Sequence, residues 1–248
     1  MYKESKEYIE MKEEFELAID NLTVEKGLTN LEGFKDRYCK AFEEIMPVPK
    51  IVFGNKKVPK TTAIANTTSW FLCPGRLRGF CELCEVCYDK CREVMGNACQ
   101  SRLNHDLWWR MNSAEDIALF YIYSIKAQNL KHPDDPVTLV RFQEVGDFRS
   151  QEDLDKMIEV SNLIYEAVEI DSYTYTHNKD LDFDKPRPHL CICGSGFMVD
   201  NQFTVVAQDK YDEYVKTHKD CIECPDKCKL CNSICSRKLG IEVVEVQK

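Results

Sequence analysis

Residues 81–91 read Cys-Glu-Leu-Cys-Glu-Val-Cys-Tyr-Asp-Lys-Cys, which places thiols at Cys81, Cys84, Cys87 and Cys91. This C-x2-C-x2-C-x3-C spacing is typical of loops that hold four-iron clusters, because closely spaced cysteines can each ligate a different corner of one cluster. Structural zinc instead favours two C-x2-4-C pairs that are separated by a dozen or more residues. The stretch therefore predicts an iron–sulfur site rather than a zinc finger.

Two neighbouring cysteines extend this first group. In bacterial ferredoxins the fourth cysteine of such a run, here Cys91, ligates a second cluster. Cys73, in Cys73-Pro-Gly, and Cys99 lie close enough in sequence to complete the ligand set or to begin another. Both are therefore predicted metal ligands together with the four cysteines of the run.

A second group of predicted metal ligands lies toward the end of the chain. Its members are Cys191, Cys193, Cys221, Cys224, Cys228, Cys231 and Cys235. Cys39 alone, among fourteen cysteines, falls outside the two groups, and we interpret it as a small buried side chain. The thiols suffice for two 4Fe-4S clusters and, by their number, for a third.

The spacing of three cysteines in the second group also occurs in a known class of cluster-binding enzymes. Cys224, Cys228 and Cys231 fit C-x3-C-x2-C, with which radical S-adenosylmethionine (SAM) enzymes hold a four-iron cluster that has one open iron. In that family the motif follows the first strand of a barrel, whereas here only residues 232–248 follow it. Cys235 and Cys221 also offer a fourth ligand. The spacing therefore favours a fully ligated cluster, and SAM binding at an open iron is the alternative.

The composition is that of an ordinary soluble protein, with 44% apolar and 30% charged residues. The sequence shows no apolar run of the roughly 20 residues that a membrane span needs, and no signal peptide is recognisable at its start, so we expect a cytoplasmic protein. In the reducing cytosol, close-set thiols indicate metal binding or redox chemistry rather than disulfides. The net charge of -9 disfavours non-specific nucleic-acid binding, which leaves a redox partner protein or a small-molecule substrate.

The hydrophobic pattern divides the chain in two. Residues 1–46 predict a helical N-terminal extension with two amphipathic helices that separate near Gly27. Residues 47–248 are predicted to form one α/β iron–sulfur domain, with cysteine-rich segments at 73–99 and 191–235. The predicted fold class is therefore α/β, a partial TIM-barrel-like parallel sheet with helices and cluster-binding loops.

A strand, a helix and a strand in succession carry this fold prediction. Residues 137–142 alternate as a strand, a helix begins at Ser150 and runs to about residue 168, and residues 170–176 are again strand-like. Their order indicates a parallel βαβ unit. The carboxyl ends of barrel strands face the site, so the residues that follow these two strands are candidates for chemistry.

These candidates are polar residues with defined expected roles. The predicted catalytic residues are Arg141, Glu144 and Asp147, and the predicted cofactor-binding residues are Gly146, Thr176 and His177. Gly146 would let the backbone approach a cluster or ligand closely, and Asp147 would accept a hydrogen bond from a substrate or from Arg141. The alternatives are a turn and helix cap for the two carboxylates, and for Arg141 a salt bridge to one of them.

From about residue 52 onward, the order of short motifs resembles a phage and archaeal family known as gene product eighty-eight. The matching pieces are Asn55-Lys-Lys-Val-Pro-Lys, Cys73-Pro-Gly, Cys84 with Cys87-Tyr88, Arg141-Phe-Gln-Glu-Val-Gly-Asp-Phe148, Tyr173-Thr-Tyr-Thr176 and the cysteines from 221 to 231. The chain differs at Asn232, where the family has an aromatic residue. The resemblance implies a metal-dependent α/β domain akin to a partial barrel, and it implies no particular reaction.

The sequence thus predicts an iron–sulfur protein that binds two or more 4Fe-4S clusters and uses them for electron transfer or cluster-based redox catalysis. One alternative is a radical-SAM-like enzyme with an open iron at Cys224, Cys228 and Cys231. The other is a binding module organised by zinc, without redox activity.

Replacing Cys84 or Cys87 with alanine should remove one cluster and destabilise the fold, because metal–thiolate bonds contribute to the free energy of folding. Cys39→Ala should do neither. Iron content and the midpoint of thermal unfolding, both measured on protein purified without oxygen, check this. Equal iron loss in all three variants would contradict the ligand assignment.

Overall fold

A computed structural model describes most of the chain. It covers residues 2–22, 31–81, 87, 98–225 and 227–247. Two predicted ligands, Cys84 and Cys91, and the predicted helix boundary near Gly27 lie outside these residues. The described part folds into two compact units, drawn from 1–50, 66–113 and 143–149 and from 51–65, 114–142 and 150–248. The predicted division at residue 46 stays a prediction.

The first unit is mainly helical. Its helices are α1 (Lys6–Asp20), α2 (Leu31–Glu43), α3 (Pro74–Leu77) and α4 (Ala98–Met111). The two predicted amphipathic helices are confirmed as α1 and α2. Their apolar faces meet in an aromatic core, in which the rings of Phe15 and Phe42 stack at 4.2 Å and those of Tyr38 and Phe71 at 4.1 Å.

A buried ion pair network crosses this unit. Asp106 on α4 is fully buried, and its carboxylate accepts hydrogen bonds from Arg110 (2.8 Å), Arg149 (2.9 Å) and the hydroxyl of Thr68 (2.9 Å). Burial alone would raise the pKa of Asp106, but the two guanidinium groups outweigh it and hold the pKa below its usual value. The network ties three separate stretches of chain together.

The second unit contains an eight-stranded sheet among the residues described. Its strands are β1 (Val52–Phe53), β2 (Thr62–Ala65), β3 (Leu139–Phe142), β4 (Ser172–Thr176), β5 (Leu190–Ser195), β6 (Asn201–Ala207), β7 (Ile222–Glu223) and β8 (Glu242–Gln247). The strand order is β1-β2-β3-β4-β5-β6-β8-β7, and only β1 pairs antiparallel. The sheet is open, so the predicted α/β class with a parallel sheet is confirmed, whereas barrel closure is not.

Helices of the second unit connect these strands. They are α5 (Ala114–Lys131), α6 (Gln151–Val168), α7 (Tyr211–Thr217) and α8 (Cys228–Cys231). Strands β3 and β4, joined through α6, pair in parallel, which confirms the predicted βαβ unit. Strand β5 was not predicted, and it places Cys191 and Cys193 on a central strand instead of a loop. No helix in the described ranges is both long and apolar enough to cross a membrane.

Gly146, in the first unit, has a φ of +88° in a crowded position. A Cβ atom there would lie 2.0 Å from Cγ2 of Thr68. The Thr68 side chain is fully buried and its hydroxyl is bonded to Asp106, so it cannot rotate away cheaply. The close approach that this glycine permits is therefore to Thr68.

Gly146→Ala should lower the free energy of unfolding by about 1–3 kcal/mol more than Gly79→Ala, because overpacking adds to the backbone strain. Gly79 is a matched control, with a φ of +72° and open space around it. Urea unfolding measures the difference. Adding Thr68→Ser, which removes Cγ2 and keeps the hydroxyl, should recover most of the extra loss. No recovery would contradict the clash.

Candidate metal centre

One face of the sheet carries a patch of polar and sulfur side chains in register. Arg141 on β3 lies beside Tyr173 on β4, which lies beside Cys191 on β5. Residues aligned across parallel strands point to the same side of the sheet. The first row of this face is therefore a guanidinium, a phenol and a thiol.

A second row lies two residues further along the same strands. Tyr175 on β4 aligns with Cys193 on β5, which aligns with Asn201 on β6. The period of two along a strand places both rows on one face. The guanidinium carbon of Arg141 lies 5.3 Å from the ring centre of Tyr175, which links the two rows. We call this six-residue surface the sheet face.

The cysteine-rich segment after β7 covers the sheet face. The thiols of Cys191 and Cys193 both contact the backbone carbonyl of Cys235, at 3.3 and 3.2 Å. That carbonyl belongs to a short 3-10 turn, Ile234–Ser236, which packs against β4 and β5. The segment that contains the last predicted ligands therefore lies directly on the strand that contains Cys191 and Cys193.

Asn201 fastens the segment to the sheet. Its side chain is fully buried, and its Nδ2 donates to the carbonyls of Cys235 (3.3 Å) and Arg237 (2.5 Å). Its Oδ1 accepts from the backbone N–H groups of Leu239 (3.1 Å) and Ile241 (3.3 Å). One amide thus satisfies four backbone groups, which fixes the path of residues 235–241.

Four cysteines of this segment gather around the sheet face. Cys224, Cys228 and Cys231 lie within electrostatic reach of Cys235, and Cys193 lies beside Cys235 from the strand side. Burial raises the pKa of Cys235 to about 12, and the neighbouring thiols contribute to this rise. We call Cys193, Cys224, Cys228, Cys231 and Cys235 the C-terminal thiol group.

Three neutral or positive groups act in the opposite direction. The hydroxyl of Tyr175 lowers the pKa of Cys235. Burial raises the pKa of Cys228, and the positive charges of Arg141 and, more weakly, Lys57 reduce that rise. The thiols of Cys228 and Cys235, whose pKa values are raised, nevertheless keep their protons at neutral pH unless a bound cation displaces them.

Backbone hydrogen bonds shape the loop that carries these thiols. The N–H of Cys224 donates to the carbonyl of Val244 (2.7 Å), and the N–H of Cys228 donates to that of Lys57 (2.9 Å). Helix α8 ends at Asn232, which has a left-handed conformation with a φ of 52°. Strand β8 and the connection between β1 and β2 therefore hold this loop, and both belong to the second unit.

Cys221 is set apart from the thiol group. Its pKa is raised by burial and then by the carboxylate of Glu242, and none of the other cysteines is among the groups that shift it. Glu242 in turn accepts hydrogen bonds from Tyr214 (2.5 Å) and Thr204 (2.7 Å). The spacing made Cys221 and Cys235 equivalent as a fourth ligand, and the structure places Cys235 with the others.

The first unit brings two other predicted ligands together. Cys73 precedes α3, and a Cβ atom at Gly75 would lie 3.6 Å from the sulfur of Cys73 and 2.9 Å from Cβ of Cys81. The two cysteines therefore flank a glycine whose missing side chain leaves them room. Cys87 and Cys99 pack against the aromatic core of this unit.

Two predicted catalytic residues lie in the same unit. Burial raises the pKa of Cys73, and the carboxylate of Asp147 adds to the rise, so Asp147 lies close to a predicted ligand. Oδ1 of Asp147 accepts from the N–H of Phe148 at 2.8 Å. Glu144 forms an ion pair with Arg102, with an N–O distance of 3.8 Å.

The remaining candidates belong to the second unit. Thr176 ends β4, and its hydroxyl accepts from the N–H of Asn178 at 3.1 Å, as in a turn. His177 follows and is partly buried. Arg141 is part of the sheet face. A single site that combines these residues with Glu144, Gly146 and Asp147 stays a prediction, because the two sets lie in different units.

The thiols are not arranged around one ion. Within the residues that the structure describes, no three His, Cys, Asp or Glu side chains are close enough to hold a single metal ion. A zinc site would need four ligands, with its sulfurs about 2.3 Å from one centre. In a four-iron cluster each thiolate binds a different iron, so the ligands stand further apart.

Comparisons of the chain with protein-family models, with curated proteins and with solved structures each found no match. The resemblance to the gene product eighty-eight family therefore stays a prediction. The chemistry of the site is inferred from its own residues.

Sequence reasoning missed two residues of this site. Tyr175 and Asn201 were not candidates, although both contact the cysteines. A signal was present for Tyr175, because Tyr173 and Tyr175 are spaced by two residues on a predicted strand and so share one face of it. Cys191 and Cys193 have the same spacing on strand β5, which was not predicted. Asn201 had no such signal, because the backbone groups to which it is hydrogen-bonded lie more than 30 residues away in the sequence.

Asn201→Asp should detach the cysteine-rich segment, because a carboxylate would face two backbone carbonyls that now receive N–H donors. We expect a loss of about 3 kcal/mol in the free energy of unfolding and faster hydrogen exchange of the amides at 235–241. Asn66→Asp is the control, because the bond made by Asn66 is accepted by its Oδ1, from Val145 at 3.0 Å, and aspartate keeps it. Equal effects in both variants would refute the role of Asn201.

Proposed function

We propose that the chain is an iron–sulfur protein in which Cys224, Cys228, Cys231 and Cys235 hold a 4Fe-4S cluster over the sheet face. The observation that carries the proposal is the gathering of these partly buried thiols around Cys235. Ionised thiols packed together repel one another, whereas the net positive charge of a four-iron cluster core would stabilise all of them as thiolates.

The donor set supports iron–sulfur chemistry over zinc. Every candidate ligand on the loop is a thiol, which suits soft metals and iron–sulfur clusters. A zinc-organised binding module would leave the tyrosine and arginine of the sheet face without a role.

We assign the first group of cysteines to a second cluster. Cys73 and Cys81 flank Gly75, and the C-x2-C-x2-C-x3-C spacing supplies Cys84, Cys87 and Cys91. Asp147 beside Cys73 would tune this site rather than ligate it, because its oxygen is bonded to the next backbone N–H.

The proposed fold is a partial barrel of the TIM type. The support is that β2 to β6 are parallel and lie side by side in chain order, as in that architecture. The proposed activity is electron transfer with a redox partner protein in the cytoplasm. Because Cys193 adds a fifth thiol to the four ligands, a closed cluster is favoured over one with an open iron for SAM.

Protein expressed and purified without oxygen should be brown and should contain about four iron and four sulfide per cluster, with an EPR signal after reduction. Cys235→Ala should lose the iron of one cluster, whereas Cys221→Ala should keep it. Iron and acid-labile sulfide analysis of both variants tests the ligand assignment. Added SAM should leave the EPR signal unchanged if the cluster is closed.

Three outcomes would contradict parts of this account. Colourless protein with stoichiometric zinc would replace the proposal with the zinc-organised module. Iron loss in Cys221→Ala that equals the loss in Cys235→Ala would refute the assignment of the fourth ligand. A change of the EPR signal on addition of SAM would establish an open iron and make the enzyme alternative the better one.

A further inference from the structure

We propose that the exposed face of helix α5 is a self-association surface, at which two copies of the chain pair through antiparallel contact of their α5 helices. The face consists of Leu119, Tyr123, Lys126 and Leu130, which we call the α5 stripe. None of these residues is a cysteine or a predicted catalytic residue, so the inference does not depend on the proposed function.

Helix α5 is apolar on two opposite sides. On its outer side the side chains of Leu119, Tyr123 and Leu130 are 49%, 68% and 85% exposed. A helix at a protein surface ordinarily has polar residues opposite the core, whereas a helix that is apolar all round is typical of one that is covered on every side. The inner side packs within the second unit through Ala114, Ile117, Ala118, Tyr121, Ile122 and Ile125.

The spacing of the α5 stripe is that of a coiled-coil seam. Leu119, Tyr123, Lys126 and Leu130 recur at i, i+4, i+7 and i+11, and all four are exposed. This is the a/d pattern of a heptad repeat, which here covers about 16 Å of helix. A single lysine in such a seam lowers the stability of the pair but fixes its register. The stripe therefore fits a second helix with the same seam.

Charges at the two ends of α5 identify the second helix as another copy of α5. Glu115 and Asp116 are in its first turn, Lys131 is in its last turn, and all three are exposed. Antiparallel pairing places the acidic turn of each copy beside the basic turn of the other, and two-fold symmetry makes this contact twice. It also brings opposite ends of the helix dipoles together. Parallel pairing would place like charges side by side.

The antiparallel arrangement gives each residue of the stripe a suitable neighbour. Leu119 would pack beside Leu130 of the second copy, and Tyr123 would lie beside Lys126 of the second copy, where an ammonium group can contact the face of a ring. A stripe of this size buries less than the roughly 1,200 Å² of a stable interface. We therefore expect a weak dimer that forms as the concentration rises.

Sedimentation velocity of the full chain, purified without oxygen and measured over a wide range of concentration, tests the inference. The mass of the unaltered protein should rise from that of one chain toward twice that mass. Leu119→Glu combined with Leu130→Glu should keep the protein monomeric, because carboxylates would face each other across the two-fold axis. Both positions are exposed and glutamate favours helix, so circular dichroism should show an unchanged fold.

Leu17→Glu is the matched control, because Leu17 is also an exposed leucine on a helix, at 53% on α1. It should leave the dimer unchanged. A monomeric unaltered protein at every concentration would overturn the inference and would leave the α5 stripe to a different partner. Equal loss of the dimer in Leu17→Glu and in the double variant would also overturn it.

A second double variant tests the orientation of the helices. Leu119→Glu combined with Leu130→Lys would place a carboxylate opposite an ammonium group in the antiparallel dimer, and like charges opposite each other in a parallel one. We expect this variant to dimerise more strongly than the double glutamate variant. Equal dimerisation of the two variants would overturn the antiparallel arrangement.

Discussion

Burial of several thiols in one place is the constraint on which the candidate site depends. Cys193 is almost fully buried, and Cys235 has its pKa raised to about 12 by burial and by its neighbours. Each thiol opposes ionisation of the next, because charges of the same sign interact strongly where water is excluded. A bound polynuclear cation relieves this constraint for all of them at once. This is why we propose that the thiols belong to one site and are not separate core cysteines.

The sheet beneath the thiols provides the fixed half of that site. Parallel pairing aligns Tyr175, Cys193 and Asn201 across three strands, so their side chains reach the same face without any contribution from the loop. Asn201 then anchors the loop by bonding to four backbone groups. Rigid strands thus position the donors, and the loop supplies the ligands.

The helices and strands whose apolar residues recur with a clear period were predictable from the sequence. Helices α1 and α2 follow from their apolar spacing, and the βαβ unit follows from alternation on either side of a long amphipathic helix. Strand β5 was not predicted, because Leu-Cys-Ile-Cys-Gly-Ser combines thiols with glycine, a composition that also fits a ligand loop. The cysteines themselves were predictable as a class. Their grouping was not, since Cys235 meets Cys191 and Cys193 through contacts between residues more than 40 positions apart.

The account is tested most directly by the Mössbauer spectrum of protein that is enriched in iron-57 and kept free of oxygen from cell lysis onward. It predicts iron in tetrahedral sulfur coordination, with the electronic coupling that marks four-iron clusters, and an iron content above that of a single cluster. A spectrum of isolated iron with nitrogen or oxygen ligands, or a preparation in which zinc replaces iron at stoichiometric level, would contradict it.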